Sequence, residues 1–329
     1  MTQKIIFSAL LFSTLLFSCK KKKEDTTPTA TPPEASPTLT YEGEIGNAGT
    51  TLNEFNLDYD WALASDNEYV YVADKNNYCV KKIDLTSKNI IGWYGFSNGV
   101  WGYYDGSKKA DSFFKPTQVI YKNNILYIIR DKYTSGLGSQ TQFYKINSST
   151  NNLIDSLIVT KDIYSDGNSI DIDNNENIFV FDESRDSIKK FSNNQFVLGF
   201  GGFGSTDGKF DHNGEIIVDG DVLTTFDLYR TQLFNTDGTY LSKLIAPVDH
   251  YFYNLQILNG NYFMYCYLKD TDDKSKHMIV EFDKNGTILQ KWSIGEYKSS
   301  WGSKMVFVKN KVIFQGDNKL YVYSKTDNF

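Results

Sequence analysis

Hydrophobic and polar positions alternate in short runs along most of this chain. One unit returns six times: a short apolar strand, a tight polar turn, and a second apolar strand ending near an acidic or polar residue. The clearest copies are Ala62–Asp74 (ALASDNEYVYVAD) and Ile170–Asp182 (IDIDNNENIFVFD), which match nearly position for position at an offset of 108 residues. With the end of the second strand as register mark, the copies fall at Asp74, Arg130, Asp182, Asp227, Cys266 and Gly316. Period-two strands rich in Val, Ile, Tyr and Phe, bounded by Asn, Asp and Gly and repeated every ~40–50 residues, predict an all-β, six-bladed β-propeller.

Two copies can be followed through four strands each. The third continues as Ile188–Phe191, a turn at Asn193-Asn194, and Phe196–Leu198; the fourth continues as Thr231–Phe234, Asp237-Gly238, and Tyr240–Ser242. Asp-Gly predicts a type I′ hairpin, whose central residues need positive φ. The sixth copy supplies only three strands, at 303–308, 311–315 and 319–324. Residues 39–46 (LTYEGEIG) read as the last strand of a blade. Placed in blade six, that N-terminal strand closes the ring and removes its exposed edge.

The stretch Gly202–Asp219 (GFGSTDGKFDHNGEIIVD) resembles an NHL repeat, a family pattern of roughly G-x-G-x-G-D-G-x-F-x-x-P-x-G-I-A-V-D. Gly102–Gly106 with Ala110, Phe113 and Pro116 is a second match. The resemblance covers about residues 39–325 and implies the same NHL-like propeller. It departs where Asn213 stands for the usual Pro and Glu215 for the usual Gly, and blades five and six lack the Asp-Gly loop.

The N-terminus does not belong to the repeats. In 1–19, Lys4 precedes the apolar run Ile5–Phe17, which is too short to span a bilayer. Leu16-Phe17-Ser18-Cys19 resembles the lipobox of bacterial lipoproteins, which implies cleavage before Cys19 and acylation of its thiol. Residues 20–38 (KKKKEDTTPTATPPEASPT) hold four of the six prolines and no apolar face, the composition of a disordered tether. The expected organisation is a lipoprotein signal peptide over 1–19, a tether over 20–38 and a propeller over 39–329. It places the protein in a bacterial cell envelope, membrane-bound through the lipid, with the outer membrane favoured and the periplasmic or surface-exposed side left open. Cys79 and Cys266 then remain, both in strand patterns and with no disulfide or zinc spacing. Loss of Lys4 takes the net charge from −6 to −7, which argues against nucleic acid as a partner.

In a propeller the mouth of the channel is lined by the residues that lead each innermost strand and by the loops after each second strand. Register puts Trp61, Gln118, Ser169, Glu215, Asn254 and Lys304 at the leading positions. The second-strand ends add Asp74, Arg130, Asp182 and Asp227, with Arg185 and Arg230 just beyond. Candidate ligand-binding residues are therefore Trp61, Gln118, Arg130, Ser169, Arg185, Glu215, Arg230, Asn254 and Lys304, a polar set of mixed charge suited to a sugar, a peptide end or a partner protein. The bland reading of the strand-end Asp residues is that they cap turns and pair with nearby Arg.

Three histidines occur, His212, His250 and His277; the first two sit in nearly equivalent loops of adjacent blades. They are the candidate ligands of an alternative, a metal-dependent lyase or lactonase-like hydrolase on the same fold, but catalytic zinc usually takes three protein ligands. Asp171 and Asp173 with Asn174-Asn175-Glu176 loosely resemble a calcium loop, although hairpin turns favour these residues without any metal. No Ser-His-Asp order, Walker loop or dinucleotide fingerprint is present. Aromatic residues make up 16% of the chain; the clusters Trp101-Tyr103-Tyr104 and Tyr251-Phe252-Tyr253 fall in loops by this reading, as ligand-stacking surfaces or as packing between blades. The sequence points to a binding protein with no catalytic residues and no cofactor.

Overall fold

The computed structural model describes residues 36–329 except 58–62, 106–109, 113, 135–137, 160–168, 212–214, 228–229, 246–249, 269–276, 296–303 and 328. Residues 36–329 form one compact unit. Strand β1 is Thr40–Ile45. Blade one holds β2 (Leu63–Ser65), β3 (Tyr69–Asp74), β4 (Cys79–Asp84), β5 (Asn89–Ser97) and β6 (Val100–Tyr104). Blade two holds β7 (Pro116–Lys122), β8 (Ile125–Thr134), β9 (Gly138–Asn147) and β10 (Asn152–Val159). Blade three holds β11 (Ile170–Ile172), β12 (Ile178–Asp182), β13 (Ser187–Ser192) and β14 (Gln195–Gly201). Blade four runs β15 (Ile216–Asp219), β16 (Val222–Asp227), β17 (Arg230–Asn235) and β18 (Tyr240–Ile245). Blade five runs β19 (His250–Leu258), β20 (Asn261–Leu268), β21 (Met278–Phe282) and β22 (Ile288–Ser293). Blade six runs β23 (Met305–Val308), β24 (Lys311–Gln315) and β25 (Leu320–Ser324).

Each blade is an antiparallel sheet, and the inner strands β2, β7, β11, β15, β19 and β23 neighbour one another in a closed cycle. The protein is an all-β, six-bladed propeller. Strand β1 pairs antiparallel with β25, Thr40 opposite Ser324 and Ile45 opposite Leu320, and so supplies the fourth strand of blade six. Just before it, Leu39 N donates to Ser293 O at 2.8 Å, tying the incoming chain to blade five.

Six apolar clusters lie at the six interfaces, each drawing on two adjacent blades. This follows from the period of two: each inner and middle strand buries side chains on both faces because a blade lies on either side. Asn residues set the hairpins. Asn193 and Asn194 both take positive φ, 48° and 63°, as the sequence implies. The Asp237-Gly238 hairpin forms, but only Gly238 has positive φ (89°), and the register shifts between Leu233 and Phe234. It is a bulged turn rather than type I′, because the bulge absorbs the twist that a type I′ turn would supply.

Two sequence expectations change. Strands β8 and β20 run past Arg130 and Cys266 to Thr134 and Leu268, so those marks lie inside strands. Trp101, Tyr103 and Tyr104 lie on the extra strand β6, and Tyr251–Tyr253 on β19. Trp101 stacks on Tyr144 of blade two with centroids 4.7 Å apart, and Phe252 is fully buried, which favours packing over exposed stacking surfaces.

Candidate functional site

The inner strands enclose an axial cavity of about 220 Å³. Leading residues of four of them share one geometry. Gln118 Oε1 accepts from Ile170 N at 3.2 Å, Ser169 Oγ from Ile216 N at 3.0 Å, Glu215 Oε2 from Leu255 N at 3.2 Å and Asn254 Oδ1 from Met305 N at 3.2 Å. Each joins its blade to the first strand of the next, from blade two to blade six. The amides so satisfied sit on buried inner strands, which pair with a second strand on one side only, and an unmet buried N–H costs ~1–3 kcal/mol. The four side chains form an arc of staples.

Lys304 breaks the pattern, since an ammonium cannot accept. Its Nζ reaches Glu215 Oε1 two blades away, so an ion pair crosses the mouth of the channel. Burial pushes the Lys304 ammonium down from the usual lysine range, against the opposing pull of the Asp171 carboxylate. Gln118, Ser169 and Lys304 line the cavity.

The three arginines serve their own blades and lie off the cavity lining. Arg130 donates through Nε and Nη2 to Gln142 Oε1 at 3.2 and 2.8 Å and lies over the Phe114 ring. Arg230 donates to the Ser205 and Lys209 carbonyls at 2.7 and 2.8 Å. Arg185 donates to Asp182 Oδ2 at 2.8 Å, the pairing that the bland reading expects. Asp182 also accepts from Ser184 N and pairs with Lys189 at 2.8 Å. Burial pushes its carboxyl up, but the bonds from Lys189, Ser184 and Arg185 outweigh that and hold it at about 2. Trp61, His212 and Cys19 lie outside the described residues. His250 begins β19, and His277, buried, sits 2.5 Å from the Tyr265 hydroxyl. Among the described residues no three potential metal ligands converge.

Among the polar lining residues that the sequence register did not place at the channel are Lys122, Asp171, Asp219 and Gln256. Asp171 Oδ2 accepts from Val218 N at 2.6 Å and lies 3.5 Å from Lys122 Nζ, which also donates to Val218 O at 2.5 Å. Stepping by two from Ser169, Gln118, Glu215 and Asn254 reaches all four, so strand alternation carried the signal. Asp173, two residues on from Asp171, does something different. It accepts from Asn175 N and Asn177 N at 2.9 and 2.8 Å and shapes the hairpin.

One glycine loop occurs twice. Gly204 N donates to Phe210 O and Phe210 N to Gly202 O, at 2.9 and 3.0 Å, which tucks the Phe210 ring between blades. The segment before blade one repeats this: Gly49 N donates to Phe55 O and Phe55 N to Asn47 O, at 2.9 and 2.7 Å. The match of Gly46, Gly49 and Phe55 to Gly201, Gly204 and Phe210 was legible as spacing and was missed.

No family model and no curated protein matches this sequence. Among solved structures, the WD40 propeller domain of Doa1 superposes with a TM-score of 0.53 at 10% identity, covering 87% of this chain and 97% of that one. A DUF4623 family protein from Bacteroides eggerthii gives 0.51 at 11% identity, with 88% and 78% covered. A protein of unknown function from Bacteroides caccae gives 0.50 at 12%, with 78% and 94% covered. At such identities the likeness is one of fold.

Proposed function

We propose that this chain is a non-catalytic, NHL-like cell-envelope lipoprotein that binds a polar partner, the end of a peptide, a glycan or a protein loop, at the mouth of its channel. The observation that carries the reading is the cavity lining, which presents both signs of charge, Lys304 and Lys122 with Asp171 and Asp219, in a confined polar space. Fixed polar groups around a concavity orient a ligand. The recurrent glycine loops at Gly46–Phe55 and Gly201–Phe210 support the NHL-like reading. The Leu16–Cys19 segment after a short apolar run supports lipidation at Cys19, and the lysine-rich, proline-rich 20–38 supports a tether.

The test is an equilibrium screen of the full-length protein against glycan and peptide arrays, repeated with Lys304→Met and Asp171→Asn. Specific binding that both substitutions weaken sustains the proposal; binding indifferent to both overturns it. Stoichiometric zinc lost on His212→Ala or His250→Ala, together with a turnover assay, would replace it with the lyase alternative. Cys19→Ser should release the protein from membranes; detergent-phase partition that survives the change removes the anchor from the reading.

A further inference from the structure

Blade two turns one face to blade one and the other to blade three. On the second face, Tyr127 of β8 stands opposite Lys145 of β9, and Phe143 of β9 opposite Leu157 of β10. Blade three answers with Ile172, Ile178 and Phe191. The two sheets do not close completely, and a second cavity of about 290 Å³ lies between them. It is separate from the axial channel. Its walls include the buried rings of Tyr127, Phe143 and Phe191, with Leu157 partly buried beside them.

The rim has a different character. Lys145 Nζ from blade two lies 2.6 Å from Glu176 Oε2 on the first hairpin of blade three. Glu176 is half exposed, at 53%, and Lys145 is mostly covered, at 15%. Asn175, next to Glu176, also lines the cavity, as do Asn193 and Asn194 of the β13–β14 hairpin, and together they add three amides.

An apolar cavity of ~150 Å³ already holds benzene, so this one has room for an apolar side chain and the head group that carries it. Size and aromatic walls alone would admit any ring. The rim narrows the choice, because it sets one cation and one anion side by side over the walls formed by Tyr127, Phe143, Leu157, Ile172, Ile178 and Phe191. An α-amino acid is the small molecule with the complementary pattern, a carboxylate and an ammonium on one carbon that bears the apolar group. Its carboxylate takes Lys145 and its ammonium takes Glu176. The exchange gives up a rim pair worth ~0–1 kcal/mol and gains two charge-assisted contacts.

We propose that the cleft between blades two and three binds a free α-amino acid with an apolar or aromatic side chain, its zwitterionic head held by Lys145 and Glu176. The inference is independent of the channel reading and of the lipid anchor.

Titration calorimetry of the full-length protein tests it with phenylalanine and leucine, with 3-phenylpropionate and phenethylamine, which each lack half of the head, and with aspartate. Saturable binding of phenylalanine or leucine is expected. The two half-head analogues should bind about tenfold more weakly or worse, and Lys145→Met should raise Kd by a similar factor. Leu157→Trp, which fills the chamber, should abolish the signal. Should that variant misfold by its melting curve, Lys145→Met and the analogue series still decide the question. No binding of any apolar amino acid overturns the proposal, as does aspartate binding as tightly as phenylalanine, or binding unchanged by Lys145→Met.

Discussion

The loops Gly46–Phe55 and Gly201–Phe210 share a backbone path and solve one problem with different chemistry. In both, the carbonyl just before the loop phenylalanine turns inward and needs a donor. In both, the donor comes from the third residue of the blade's third strand. Before blade one it is Lys81, which reaches the carbonyls of Thr51 and Glu54 and brings a buried charge that Asp74 answers at 2.8 Å. Asp74 is in turn bonded by Asn56 N and Asn77 Nδ2. Before blade four it is the neutral Gln232, whose Nε2 donates to Lys209 O at 2.7 Å while its Oε1 accepts from Gly208 N at 2.8 Å. Arg230 adds a second donor to Lys209 O. Backbone carbonyls fix where donors must stand, and leave open whether the donor is charged.

The two solutions differ in how they fail. Lys81→Met strands Asp74 in a site with no exposure and should cost ~3–5 kcal/mol in urea unfolding, with much of that recovered by adding Asp74→Leu. If Lys81→Met costs under ~1 kcal/mol, the pair is not what holds the first loop.

Glycine substitution should hit both loops alike. A Cβ at Gly46 would meet the Phe55 ring at 2.2 Å, and one at Gly201 the Phe210 ring at 2.3 Å, with φ of +82° and +98°. Backbone strain and overpacking, each ~1–3 kcal/mol, should make Gly46→Ala and Gly201→Ala comparably destabilising by thermal melts. A large inequality between them would break the equivalence of the loops.

Gln232→Leu should cost ~1–3 kcal/mol, less than Lys81→Met, because it removes bonds without stranding a charge and Arg230 still reaches Lys209 O. Equal costs would erase the distinction between the two solutions.

Blade three offers an intermediate case, with a partly exposed Asp182–Lys189 pair at the same strand positions. The Asp182 carboxyl is held at about 2 in the fold, below the 3.8 of an unperturbed Asp, so its contribution is fully present above ~pH 4 and is lost as pH falls through about 2. Discounted for solvent screening, that is ~1–2 kcal/mol. Urea midpoints of the wild type and Asp182→Asn should differ at pH 7 and converge toward pH 2; a gap constant with pH would assign the stability elsewhere.

Much of the fold could be read along the chain. Alternating apolar positions in Tyr69–Asp74 and Ile178–Asp182 gave the middle strands, Asn193-Asn194 a hairpin, and 39–46 the closing strand, since each is a local pattern. The candidate site was legible in position but not in orientation. Gln118, Ser169, Glu215 and Asn254 do lead the inner strands, yet the partners they accept from lie 40–52 residues on, in the next blade. Strand alternation marks which positions share a face, but not which of them bonds across to the neighbouring blade.

The sequence by itself determined the repeat, the strand period and the turns, because these depend on residues within a few positions of one another. Only the tertiary structure decided that Lys304 crosses to Glu215 and that Asp171 turns to the axis while Asp173 folds back on its hairpin. It alone left the face of blade two toward blade three open while the other was filled by Trp101 and Phe114. Those outcomes depend on how two twisted sheets meet, and side-chain volume from both must be summed before a cavity or an ion pair exists.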